Sequence, residues 1–311
     1  MAASSSSTPP ADPPVTAFDE AVAHARRSIG EAVDAICARH LAAVPSPVRD
    51  AIRYALAGEG KRLRGVLVIE SHRAAGGRGD PILLAAAIEI VHAYSLVHDD
   101  LPCMDDDDLR RGRPTVHRVY GVPAATRAGL AMVPLAVAAG SDAADALGLG
   151  VEGRRAVVRE LMHASGASGM IGGQLLDLEG EGQSLTLAEL QRVHEGKTGA
   201  LLAAATRLGG IAAGAEAAAI DALGRYGAAI GLAFQIADDV LDVTATSDRL
   251  GKTAGKDEAS GKSTYPALLG IETALARAEG LVTEACEALS GAGLLTPPLE
   301  QLARFTVRRR S

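Results

Sequence analysis

The sequence predicts an all-α protein, a single-domain helical bundle of about ten or more helices, and three observations carry that prediction. Hydrophobic residues make up 48% of the 311, yet aromatics are only 3% and tryptophan is absent, so the core must be built from Ala, Leu, Val and Ile. Alanine is the strongest helix former, and the long Ala/Leu/Glu/Arg stretches favour helix over sheet. Apolar residues also recur at helical spacing: Leu84, Ile88 and Val91 fall at i, i+4 and i+7 on one face. Finally, no run alternates polar and apolar residues with β-branched enrichment, so no strand is expected.

The Ser/Pro/Ala-rich opening predicts a disordered tail over residues 1–16. It has neither the positive region nor the apolar region of a secretory signal. Helices are then expected at Phe18–Ala43, stopped by Pro45 and Pro47, at Val48–Leu56, closed by Gly58 and Gly60, and at Leu63–Ala75, ended by Gly76 and Gly77. Pro81–Asp99, Val122–Ala139, Glu152–Gly166, Ile171–Leu178, Thr186–Leu208, Glu216–Val243 and Thr264–Leu289 follow, with a last helix from Pro298. No linker divides residues 17–311, which are read as one domain.

Composition narrows the function. The formal net charge is −7 and the basic residues form no stripe, which argues against a nucleic-acid partner. Cys37, Cys103 and Cys286 have no CxxC spacing, as in a reduced compartment. The longest uncharged run, Ala128–Gly140, is short for a bilayer and contains Pro134. A cytoplasmic protein with no membrane span is expected.

Two acidic clusters carry the chemistry. The first, Asp99-Asp100-Leu101-Pro102-Cys103-Met104-Asp105-Asp106-Asp107-Asp108, holds six carboxylates in ten residues, which repel unless cations neutralise them. A solvated acidic loop is the plain alternative, but the cluster directly follows a long apolar helix. In the second, Gln235, Asp238, Asp239 and Asp242 share an arc of about 100° on a helix within an otherwise apolar segment. Burying three like charges is costly unless a hard cation with oxygen ligands relieves it. Carboxylates on two facing helices would clamp several Mg²⁺ ions, and Mg²⁺ shares its sphere with phosphates, so a diphosphate ligand is expected. Basic residues around the clusters, including Lys61, Arg62, Arg64, Arg110, Arg111, Lys197, Lys252, Lys256 and Lys262, suit anion holders; each alone is unremarkable, and GKT without the full P-loop spacing is weak.

These residues resemble the trans-isoprenyl diphosphate synthase family, specifically bacterial farnesyl and geranylgeranyl diphosphate synthases. SLVHDDLPCMDDDDLRRGRPTVH looks like the family's first aspartate-rich motif and FQIADDVLD like its second. GKRLR, GMIGGQLLDLEGE, HEGKTGALL and LGKTAGKDEASGKSTYPALLG match in order and spacing. The resemblance implies the isoprenoid synthase fold, with helices around a central cavity, three Mg²⁺ ions per site (Mn²⁺ as an alternative), and a homodimer. It implies isopentenyl diphosphate and an allylic diphosphate as substrates. Asp99, Asp100, Asp105, Asp238, Asp239 and Asp242 would hold the metal. Arg110, Lys197, Lys252 and Lys262 would hold the allylic diphosphate, and Lys61, Arg64, His92 and Arg111 the isopentenyl diphosphate. His92 lies about 20° from Asp99 on the helix wheel. Thr198, Gln235 and the Lys197 carbonyl would face the carbocation, with Gln174 and Asp177 in the cavity wall. Arg308, Arg309 and Arg310 would close over the site or fray as a basic tail.

The resemblance places the chain-length floor at Tyr94 and Ser95, and an aromatic at Tyr94 suggests farnesyl diphosphate; geranylgeranyl diphosphate is the alternative product. A non-catalytic partner subunit would be expected to lose an aspartate cluster, and a terpene cyclase to carry an Asn/Ser/Glu metal motif. Two positions depart from the pattern. Gly65 stands where a proline is usual, and Leu130 where an aspartate is common, which bears on packing or a dimer contact. Asp99 and Asp105 would lie about 120° apart on a regular helix, so Pro102 is expected to distort or end it.

Overall fold

The structure, a computed structural model, describes residues 17–58, 60–244 and 262–308. About three quarters of these are helical. The helices are α1 (Ala17–His40), α2 (Val48–Leu56), α3 (Leu63–Ala74), α4 (Ile82–Asp99), α5 (Val116–Tyr120), α6 (Val122–Ala146), α7 (Gly150–Ser165), α8 (Met170–Glu179) and α9 (Leu187–His194). A π turn at Glu195–Gly199 leads into α10 (Ala200–Ala212), followed by α11 (Ala217–Thr244), α12 (Tyr265–Leu269), α13 (Ile271–Gly291) and α14 (Pro297–Arg308).

Helix α4 is the axis of the bundle. From Leu84 to Val91 every residue is buried, as expected of a helix that is apolar all round. Both α4 and α6 are long and apolar enough to cross a membrane, but 61% and 44% of their apolar windows are buried inside the protein. They pack on each other, while α10 lies against α3 and α11, and α11 against α13. One hydrophobic core runs from Ala25 in α1 to Ala303 in α14. Alanines fill much of it, so the helices can approach closely.

Several expectations are corrected. Two two-residue strands, β1 (Leu109–Arg110) and β2 (Arg113–Pro114), pair antiparallel. They are too short for a period-two pattern; the visible signal is Arg111-Gly112, both in the left-handed region (φ 53° and 73°), which a two-residue hairpin turn requires. Thr186–Leu208 is not one α-helix. A capping box at Thr186 and Glu189 starts α9, and the π turn then interrupts it. Thr264–Leu289 divides at Gly270, whose φ of 79° ends α12. Helix α6 continues to Ala146, past the expected Ala139. The tail over 1–16, Lys252, Lys256, Arg309 and Arg310 lie outside the described residues.

Candidate active site

A cavity of about 800 Å³ opens between α3, α4 and the β hairpin on one side and α8, the π turn, α11 and Lys262–Thr264 on the other. Helix α4 delivers His92, Ser95 and Asp99 to its wall. The helix ends at Asp99, ahead of Pro102, and the chain folds back so that the Asp105 N–H donates to the Asp99 carbonyl at 2.8 Å. That return removes the angular difficulty: Asp99 and Asp105 both face the cavity, joined by Asp107. On the opposite wall α11 contributes Phe234, Gln235, Asp238 and Asp239.

Not every aspartate of the two clusters is equivalent. Asp100 turns away from the cavity and is 3% exposed. It accepts from Arg110, Nε at 2.9 Å together with a second bond from Nη2, which aims that guanidinium inward. Asp239 is also committed. Its Oδ2 accepts from His194 Nε2 at 3.1 Å and from the Tyr265 N–H at 3.0 Å, and its Oδ1 from Gln235 Nε2 at 3.3 Å. Asp242 is buried further along α11 and does not line the cavity. Of the six expected metal ligands, then, Asp99, Asp105, Asp238 and Asp239 line the cavity, and Asp100 and Asp242 do not.

Burial first, and the nearby Asp105 and Asp100 carboxylates, raise the Asp99 pKa from 3.8 to about 6, with Lys197 and Arg110 opposing. A carboxyl whose pKa is raised on folding stabilises the fold at pH values below its unfolded pKa, and that contribution disappears as pH rises through the folded value. Metal-free protein should therefore lose stability between about pH 4 and pH 6 on this account. The substitution Asp99→Asn should raise the melting temperature at pH 7 in the presence of chelator, with little difference from wild type near pH 4. Thermal melts across that range check it.

Three cations lining the cavity meet the acids. Lys197 Nζ lies 2.6 Å from Asp177, and Lys262 Nζ lies 3.2 Å from Asp177, 3.3 Å from Glu181 and 3.9 Å from Asp105. Burial works against the charge on Lys197, but Asp177, Asp99 and Asp105 hold its pKa above the usual lysine value. Thr198 donates to Gln235 at 2.9 Å. Arg110 completes the set.

The other end of the cavity is basic. Lys61, Arg62, Arg64, His92 and Arg111 line it. Burial and four surrounding guanidiniums, Arg64, Arg111, Arg62 and Arg110, push His92 well below its ordinary pKa. Burial brings Arg64 down to about 10, Glu89 opposing and Arg111 assisting. Among the described residues Arg64 Nε and His92 Nδ1 are buried without a hydrogen-bond partner. An anion or ordered water would satisfy such groups.

Sequence reasoning missed Glu89, His194 and Tyr265, whereas Arg62, expected among the anion holders, does line the cavity. Glu89 and His194 stand three residues before His92 and Lys197 respectively, a helical spacing that could have found them. Glu89 also settles the Gly65 departure. Its Oε1 accepts the Gly65 N–H at 2.9 Å, a bond proline could not make, and so caps the start of α3 from a neighbouring helix. Leu130 is 65% exposed on the outer side of α6, remote from the chemistry. Ser95 lines the cavity, whereas Tyr94, expected beside it on the chain-length floor, does not: it is 7% exposed and edge-on to His98 at 4.9 Å. Gln174 is buried outside the wall, with neither amide atom partnered among the described residues. Arg308 ends α14, whose Phe305 ring lies 5.9 Å from Lys61 Nζ.

The donor set fits a hard divalent cation. Among the described residues no three His, Cys, Asp or Glu side chains are arranged to hold a metal alone. Carboxylates on two facing walls with basic residues between them suit Mg²⁺, which is ordinarily completed by water and substrate phosphates.

The comparisons agree. Residues 45–288 match the model of the Polyprenyl synthetase family. Farnesyl diphosphate synthase of Escherichia coli is 45% identical over 279 residues, 87% of this chain and 93% of that protein. Geranylgeranyl pyrophosphate synthase 7 of Arabidopsis thaliana is 40% identical over 96% of this chain and 88% of its own. The crystal structure of an FPP/GFPP synthase from Zymomonas mobilis superposes with a TM-score of 0.80 at 33% identity, covering 93% of this chain and 98% of that one. Prenyl synthases act on isoprenoid diphosphates and are generally Mg²⁺-dependent. Matched along most of its length by family and relatives alike, this chain belongs to the polyprenyl synthetase family and is a short-chain prenyltransferase.

Proposed function

We propose that the protein condenses isopentenyl diphosphate with dimethylallyl and geranyl diphosphates to make farnesyl diphosphate, as a Mg²⁺-dependent cytoplasmic enzyme. The observation that carries this reading is the division of one cavity into an acidic end, with Asp99, Asp105 and Asp238, and a basic end, with Lys61, Arg64, His92 and Arg111. Two diphosphates with different needs fit those two ends.

Asp99, Asp105 and Asp238 would hold the metal, with Asp100 and Asp239 fixing their neighbours. Bound Mg²⁺ would supply positive charge to the departing diphosphate. Arg110, Lys197 and Lys262 add fixed charges at the same place, and Asp177 keeps both lysines turned inward. Preorganised charge of this kind needs no rearrangement as the allylic C–O bond breaks. Thr198 and Gln235, hydrogen-bonded to each other, place oxygen dipoles near the resulting carbocation. The basic end holds the second substrate so that its alkene attacks at close range. The departing diphosphate then takes the proton, since no basic side chain stands out for the task.

Incubating the protein with isopentenyl diphosphate, dimethylallyl diphosphate and Mg²⁺ should yield farnesyl diphosphate. A protein inactive under those conditions would contradict the reading, and a twenty-carbon product would move it to geranylgeranyl diphosphate. With the chain-length floor placed at Tyr94 and Ser95 by the resemblance, Tyr94→Ala should lengthen the product; chromatography of the hydrolysed products checks this, and an unchanged length rules Tyr94 out as the floor.

A homodimer through the outer side of α6 is also proposed, on the exposure of Leu130 (65%) and Val122 (41%) there. Sedimentation should report twice the 31.7 kDa chain mass; a monomer at micromolar concentration would oppose it.

A further inference from the structure

The π turn between α9 and α10 is closed by the Ala200 N–H donating to the Glu195 carbonyl. Such a turn inserts one residue into the helix and offsets the faces on either side by about 100°. Leu190, Val193, His194, Lys197 and Thr198 line the cavity at i, i+3, i+4, i+7 and i+8, the stripe of an ordinary helix, and the offset falls on the residues that follow. Lys197 and Thr198 reach different helices, the former meeting Asp177 on α8 at 2.6 Å and the latter Gln235 on α11 at 2.9 Å.

Two glycines on those same helices press against the turn. A Cβ at Gly173 on α8 would stand 1.9 Å from the Lys197 backbone nitrogen and 2.4 Å from the Gly196 carbonyl carbon. A Cβ at Gly231 on α11 would stand 2.8 Å from Gly199 Cα. The nearest atoms are backbone, so no side-chain rotation relieves either clash. Glycine weakens a helix relative to alanine, yet both lie inside helices, Gly173 in α8 and Gly231 in α11. The close approach accounts for them.

We propose that Gly173 and Gly231 are positioning residues for prenyl transfer: they let the π turn seat closely against α8 and α11, at the depth from which Lys197 reaches Asp177 and Thr198 reaches Gln235. The inference rests on the prenyltransferase reading and names residues outside the groups that contact substrate.

Gly173→Ala and Gly231→Ala, with Gly30→Ala and Gly280→Ala as controls whose Cβ would meet nothing within 4 Å, test it in the full chain. Steady-state rates with geranyl and isopentenyl diphosphates are read beside melting curves and circular dichroism. Each of the two test variants should lose about a hundredfold in kcat with helix content retained. KM for isopentenyl diphosphate should hold, because its basic pocket is built on α3, α4 and the hairpin. Deleting Gly196, which would restore an ordinary α turn, should cause the same loss. The proposal is overturned if kcat stays within about threefold of wild type, if the isopentenyl KM rises in step with the loss, or if both test variants simply fail to fold. An inactive wild-type chain would sink the prenyltransferase reading instead.

Discussion

Asp238→Ala is expected to lower kcat by about 10²–10³-fold at saturating Mg²⁺, with the fold intact. Asp238 lines the cavity on α11 opposite Asp99 and Asp105. Removing it takes the acidic partner from one wall and leaves the metal–diphosphate held from the other alone. Relief of like-charge repulsion should leave stability level or slightly raised. Steady-state kinetics and a melting curve separate the two effects; turnover within a few-fold of wild type would show that Asp238 does not bear on the reaction.

The second large effect is on stability. Asp239→Ala strips the acceptor from His194 Nε2, the Tyr265 N–H and Gln235 Nε2, three groups on α9, α12 and α11. Leaving buried donors unpaired costs on the order of 1–3 kcal/mol each, so a loss of roughly 3 kcal/mol or more is expected, toward the low end where water enters the space. The damage should spread to activity, because Gln235 also accepts from Thr198. Asp239→Asn keeps one acceptor oxygen and should lose less than half as much stability by urea denaturation. Equal losses would mean that the charge matters more than the hydrogen bonds.

The contrast between Asp238 and Asp239 marks how far the sequence could be read. Helical periodicity and Gly/Pro punctuation located most of the helices, because local propensity and burial there point the same way. The wheel argument put Gln235, Asp238, Asp239 and Asp242 on one face, and that much holds. It could not say which side chains a neighbouring helix would engage, since His194 and the Tyr265 backbone approach from elsewhere in the chain. The same holds for Asp100, whose partner Arg110 is presented by a two-residue hairpin with no pattern of its own. The π turn was illegible for a different reason: one inserted residue leaves composition unchanged and keeps the helical period, shifting only its phase by about 100°, and the packing of Gly173 and Gly231 decides it. Gly65 was visible as an oddity, but its hydrogen bond to Glu89 joins residues 24 positions apart and needed the fold to appear.

The central claim is that acids on two facing walls hold one metal–diphosphate between them while basic residues hold a second diphosphate alongside. A crystal structure with Mg²⁺, an unreactive allylic thiolodiphosphate and isopentenyl diphosphate tests it most directly. Metal should appear about 2.0–2.1 Å from oxygens of the Asp99 and Asp105 wall and of Asp238, with the second diphosphate on Arg64, His92 and Arg111. Metal bound on one wall only, or both diphosphates outside the cavity, would contradict it.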